Sequence, residues 1–112
     1  IQLLDLYPYG KQMLVSIGVL RARFRNSWTE PEYVKSDMVY EYHINLRPTC
    51  QNFVKGHRIG VAISSSAFPI IERHSNTEKL PSEATVSDFV EATQQVFYGA
   101  KYPSHLKLPN FI

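Results

Sequence analysis

Apolar and polar residues alternate with period two in several stretches of this chain, the spacing of half-buried β-strands. The best example is Met38-Val39-Tyr40-Glu41-Tyr42-His43-Ile44-Asn45-Leu46. Met38, Tyr40, Tyr42, Ile44 and Leu46 fall on one face, Glu41, His43 and Asn45 on the other, until Arg47-Pro48-Thr49 ends the run. A second strand is expected after the turn at Gly56. There Ile59, Val61 and Ile63 share a face that should be buried, while Gly60, Ala62 and Ser64 make the opposite face small enough for close approach. Pro69 cannot donate to a ladder and should stop pairing.

Earlier in the chain, Leu3-Leu4-Asp5-Leu6-Tyr7 runs into Pro8-Tyr9-Gly10-Lys11, a turn sequence, and Met13-Leu14-Val15 returns from it. Leu20, Ala22 and Phe24 alternate with Arg21, Arg23 and Arg25, again as in a strand. Residues 26–37, with Trp28, Pro31 and Tyr33, read as a long loop. Residues 87–98 read two ways. Asp88-Phe89-Val90-Glu91 looks like a capping box with Gly99 as a stop, whereas Ala92, Gln94, Val96 and Tyr98 alternate as a strand; the strand is adopted. Strands and turns at this spacing favour a sandwich or barrel over βαβ units.

Composition narrows the function classes. A hydrophobic share of 44% with seven Tyr and six Phe argues against disorder. Twelve basic and ten acidic residues leave a formal charge of +2, too balanced for a nucleic-acid reader. One cysteine, Cys50, excludes an internal disulfide. No apolar run approaches the roughly 20 residues that span a bilayer, and no signal peptide is visible, so no membrane partner is expected. The chain opens on Ile1-Gln2-Leu3-Leu4 without an initiator Met and reads as part of a longer polypeptide.

Three segments together carry a resemblance. They are Gly18-Val19-Leu20-Arg21-Ala22-Arg23-Phe24-Arg25, then Lys55-Gly56-His57-Arg58-Ile59 with Ile63-Ser64-Ser65-Ser66-Ala67-Phe68-Pro69 and Asn76-Thr77, then Tyr102-Pro103-Ser104-His105-Leu106-Lys107-Leu108-Pro109. In order and spacing they resemble the carboxyl-terminal domain of the X-Pro dipeptidyl-peptidase and cocaine esterase hydrolases, a family that also takes in cephalosporin acylases and α-amino-acid ester hydrolases. Two positions depart from the family pattern: Glu78 stands where a Gly is usual, and Tyr9 where an Asp is usual. The resemblance implies an all-β fold, a jelly-roll-like sandwich of the galactose-binding type, of which residues 1–112 would form the C-terminal part of a single domain. It also implies that the catalytic α/β-hydrolase domain lies elsewhere in the parent chain.

Candidate chemistry is sparse. No serine follows a Gly at the two-residue spacing of a nucleophile elbow, and Ser64-Ser65-Ser66 reads as a strand end whose hydroxyls bond the backbone. His43, His57, His74 and His105 match no zinc spacing, and no metal or cofactor is expected; His57 and His105 read as structural hydrogen-bonding groups. Arg21, Arg23 and Arg25 could hold phosphate, but pairing with Glu41 or another carboxylate is the simpler reading. The chain is therefore read as non-catalytic. Phe68, Arg73, Asn76 and Thr77 are expected to dock on the hydrolase domain of the parent, and the isolated chain is expected to form a homo-oligomer. The alternative is a carbohydrate-binding module, its sugar platform made from loop aromatics such as Trp28, Tyr33, Tyr7 and Tyr9.

Overall fold

A computed structural model describes residues 1–109, which divide into two compact units, Ile1–Ile71 and the part from Glu72 onward. The first unit is built on one antiparallel sheet. Its strands are β1 (Gln2–Leu6), β2 (Gln12–Ile17) and β3 (Arg58–Ala62), in the order β2-β1-β3. Regular structure among the described residues is otherwise limited to two 3-10 turns, so the all-β class expected from the sequence holds and is consistent with a β-sandwich.

The hairpin between β1 and β2 forms where the turn residues stand. Gly10 takes φ +90°, its N–H bonds the Tyr7 carbonyl at 3.0 Å, and the Tyr7 N–H bonds the Lys11 carbonyl at 2.9 Å. The turn into β3 is made the same way, with Gly56 at φ +92° and a His57 N–H to Val54 carbonyl bond of 2.9 Å. β1 is the central strand. Leu3 stands opposite Ser16 on β2 and Val61 on β3, and Asp5 opposite Met13 and Ile59, with a register irregularity between Leu3 and Leu4. Leu3 and Asp5 are the buried pair of this strand, at 2% and 1% exposure. Ser16 is also buried and donates its hydroxyl to the Arg47 carbonyl at 2.7 Å.

Two glycines mark close approaches. A Cβ on Gly18 would lie 2.6 Å from the Asn45 carbonyl oxygen, and one on Gly60 2.8 Å from a Leu6 methyl. At Gly60 the close approach comes from Leu6 of the neighbouring strand in the same sheet rather than from a second layer. The opposite face departs from expectation. Ile59, Val61 and Ile63 are 51%, 45% and 55% exposed rather than buried: Ile59 and Val61 share a face with Leu3 and Asp5, but the burial of that face at the central strand does not extend to β3 at the sheet edge.

Two further expected strands are absent. Residues 18–25 bend into a 3-10 turn at Ala22–Phe24. The Arg25 guanidinium gathers the Ala22 and Glu32 carbonyls at 3.1 and 2.7 Å and the Glu32 carboxylate at 3.0 Å, so local contacts across a loop displace an extended pairing. Residues 38–46 keep their alternation but form no ladder. Tyr40 is held by side-chain contacts instead: its hydroxyl accepts the Lys35 N–H at 3.0 Å and its ring lies 4.5 Å from the Arg25 guanidinium. An alternating pattern defines faces, but a strand also needs a backbone partner.

In the second unit, residues 87–98 form neither the strand adopted nor a helix. A 3-10 turn covers Val86–Asp88, capped by Thr85 in a reciprocal capping box with Asp88, and stops at Phe89. It cannot propagate because the backbone of Val90 is committed elsewhere. Its N–H bonds the Ser75 carbonyl at 2.9 Å and its carbonyl accepts the Asn76 side-chain amide at 2.7 Å.

The Asp88 carboxylate is held at about 2, below its ordinary 3.8. The Lys79 ammonium bonded at 2.6 Å is the main cause, followed by the N–H and hydroxyl of Thr85. The native form therefore binds this proton less readily than the unfolded chain, so stability rises with pH across the window. We expect the Asp88 contribution to be complete above about pH 4 and to disappear as pH falls through about 2. Urea midpoints of the native chain and Asp88→Asn between these limits should converge on acidification; parallel curves would count against it.

Candidate functional site

The densest polar arrangement sits where the two turns of the first unit meet, at the end of β1. Asp5 points its carboxylate into the interior, and the His57 Nδ1 bonds its Oδ1 at 2.8 Å. The Gln51 side-chain amide donates to Oδ2 at 3.2 Å. A carboxylate oxygen accepts, so Nδ1 carries the proton and the tautomer is fixed by the pairing. The Tyr7 ring lies 4.2 Å from the imidazole, centroid to centroid, with Tyr9 5.3 Å beyond it and the Lys11 ammonium 5.2 Å from the Tyr7 ring. The Tyr7 hydroxyl donates to the Met13 sulfur at 3.8 Å.

A carboxylate-oriented imidazole is the base half of a nucleophilic triad. Here Nε2 makes no hydrogen bond to a hydroxyl or thiol among the described residues, and Asp5 and His57 are 2% and 13% exposed at their side chains. The arrangement instead ties residues 51–57 to the central strand and satisfies a buried charge. No buried side-chain nitrogen or oxygen among the described residues lacks a partner. Sequence reasoning assigned His57 a structural hydrogen bond but missed Asp5. The available signal was an acidic residue inside the apolar run Leu3-Leu4-Asp5-Leu6.

The other candidates fall into place separately. Ser64 and Ser66 bond the local backbone: the Ser64 hydroxyl donates to the Ser66 carbonyl at 2.9 Å and accepts the Ser66 N–H at 3.2 Å. His105 meets the Pro103 carbonyl at 2.8 Å, and His43 lies 3.3 Å from Glu41 on an exposed surface. The arginine stripe does not form, since Arg23 is buried and Arg25 pairs with Glu32 rather than Glu41. No cluster of three His, Cys, Asp or Glu residues suited to a metal occurs among the described residues, and no helix there is long and apolar enough to cross a membrane.

Of the residues expected to dock, Phe68 belongs to the first unit and is 67% exposed. Arg73, Asn76 and Thr77 belong to the second and serve its own loop. The Arg73 guanidinium lies 4.7 Å from the Phe89 ring centroid, and Asn76, at φ +59°, bonds Val90. The Thr77 hydroxyl shares a 2.7 Å hydrogen bond with that of buried Ser75.

The Asp5–His57 pair should show strong coupling. Asp5→Ala and His57→Ala are each expected to cost about 2 kcal/mol, since each strands a polar partner away from water. The double variant should cost less than their sum by about 1 kcal/mol or more. Urea unfolding of the four proteins gives the cycle, and strict additivity would show that the two side chains do not act together.

Comparison with known proteins agrees with this geometry. Residues 1–107 match the family described as the X-Pro dipeptidyl-peptidase C-terminal non-catalytic domain. The chain is also similar to a cocaine esterase of Rhodococcus sp. (strain MB1 Bresler), with 32% identity over 108 residues. That alignment covers 96% of this chain but 19% of the esterase, so the chain spans about a fifth of its relative's length. The match runs through the hairpin that carries Asp5, the turn that carries His57 and the segment around Asn76, and the chain belongs to the X-Pro dipeptidyl-peptidase C-terminal non-catalytic domain family.

Proposed function

We propose that this chain is an accessory β-domain of a hydrolase, packed on the α/β-hydrolase domain of its parent, where it supports the substrate cleft and the assembly of the enzyme. Membership of a non-catalytic C-terminal family over residues 1–107 is the observation that carries this reading. Large apolar side chains left in solvent support it. Phe68 and Ile70 are 67% and 65% exposed, and Trp28 is 82% exposed, as expected of surfaces that another domain covers. Phe68 supplies the apolar docking contact in the first unit. In the second, Arg73, Asn76 and Thr77 contribute by shaping the loop that meets the partner.

The parent reaction that fits the names of the family and the esterase is hydrolysis of an ester or amide bond through an acyl-enzyme. The serine nucleophile and its partners belong to the hydrolase domain. The same surfaces leave the isolated chain prone to self-association, and a homo-oligomer is its expected form. No membrane or nucleic-acid partner enters the proposal.

Two measurements test it. The chain alone should give no turnover of aminoacyl-proline anilides or short aryl esters above background; activity lost on mutating Ser64, Ser65 or Ser66 would falsify the accessory reading. In the intact parent, Phe68→Ala should lower the thermal midpoint by about 2 °C or more while leaving the chemistry of the hydrolase domain in place. An unchanged midpoint, or saturable glycan binding lost in Trp28→Ala, would favour a carbohydrate module instead.

A further inference from the structure

The sheet has two edges, and they differ. The β2 edge is flanked near its end by residues 45–47, where the Asn45 carbonyl crowds Gly18 and the Arg47 carbonyl takes the Ser16 hydroxyl. β3 has β1 as its only ladder partner among the described residues. Alternate residues of such a strand turn N–H and C=O groups outward, where they can template another strand. Natural edges are usually guarded by Lys, Pro or an inward charge. Arg58–Ala62 reads Arg-Ile-Gly-Val-Ala, with its one charge at the first position. Ile59 and Val61 share one face and are each about half exposed.

From this we infer that β3 pairs with β3 of a second copy, antiparallel about a two-fold axis at Gly60, so that two sheets join as β2-β1-β3-β3-β1-β2. The inference rests on the proposed self-association and assigns its site. Antiparallel self-pairing is isologous, and an axis at the middle residue uses all five residues of the strand. In that register Ile59 of each copy stands opposite Val61 of the other, giving two identical pairs of half-exposed β-branched residues on the face they share with Leu3 and Asp5. Arg58 stands opposite Ala62, which holds the two guanidinium groups at opposite ends of the join and places no like charges face to face. The other face is compatible too. Gly60 meets Gly60, and Leu6 already lies over that position in each copy. A join of five residues a side is small beside the roughly 1,000 Å² of a stable interface, so dissociation within the micromolar range is expected.

Cysteine cross-linking reads the register directly, in a Cys50→Ser background. Oxidising a mixture of Ile59→Cys and Val61→Cys chains should give a covalent dimer containing one of each, while either chain alone gives little. Self-cross-linking of Val61→Cys alone would move the axis to Val61 and overturn the register. Sedimentation of the otherwise native chain should show reversible dimerisation, and Ile59→Lys, exposed and compatible with the fold, should weaken it about tenfold. Dimers that persist unchanged in Ile59→Lys and form no 59–61 link would overturn this site while leaving self-association standing. A chain monomeric across the micromolar range would overturn both, and would leave the edge to a strand of the parent enzyme.

Discussion

The buried carboxylate of Asp5 is the constraint on which the first unit is organised. It sits on the central strand, 1% exposed, two residues from Leu3 and on the same face. A charge in that position is tolerable only when it is hydrogen-bonded. His57 and Gln51 supply the bonds, and both come from the segment that leads into β3. The same contact that satisfies the charge therefore delivers β3 to the sheet, more than fifty residues after β1. Gly56 makes the delivery possible by turning the chain at positive φ immediately before His57.

Around that centre the chain is thinly covered. Leu3 is the one large apolar residue buried among the described residues; Gly18 is buried too, and the other buried positions are polar: Asp5, Ser16, Arg23 and Ser75. Each has a specific partner or an internal contact, so order in this chain comes from hydrogen bonds and short loops as much as from an apolar core. Meanwhile Ile59, Val61, Ile63, Phe68 and Ile70 stand about half exposed or more. Apolar side chains left half in solvent are what a covering domain, as proposed above, would bury. That physical fact, more than any catalytic grouping, fits a non-catalytic partner domain.

The second unit shows how a local signal can be genuine and still misread. A capping box does form, but between Thr85 and Asp88, three residues before the one read at Asp88 and Glu91. The turn it starts ends at once because Ser75 and Asn76 take both backbone groups of Val90. Nothing within residues 87–98 reveals that competition.

What the sequence determined by itself is the set of features whose causes are local. The turns at Gly10 and Gly56, the hairpin between β1 and β2, the strand after His57, the serine-to-backbone bonds and the family-defining segments all follow from residues close in the chain. So does the absence of a nucleophile elbow. What only the tertiary structure decided is which alternating segments become strands and which faces are buried. Residues 38–46 have the better pattern and form no ladder, while residues 2–6 and 58–62 find each other because Asp5 needs His57. Periodicity marks the faces of a segment; pairing and burial depend on a partner that is distant in sequence, and only the fold supplies it.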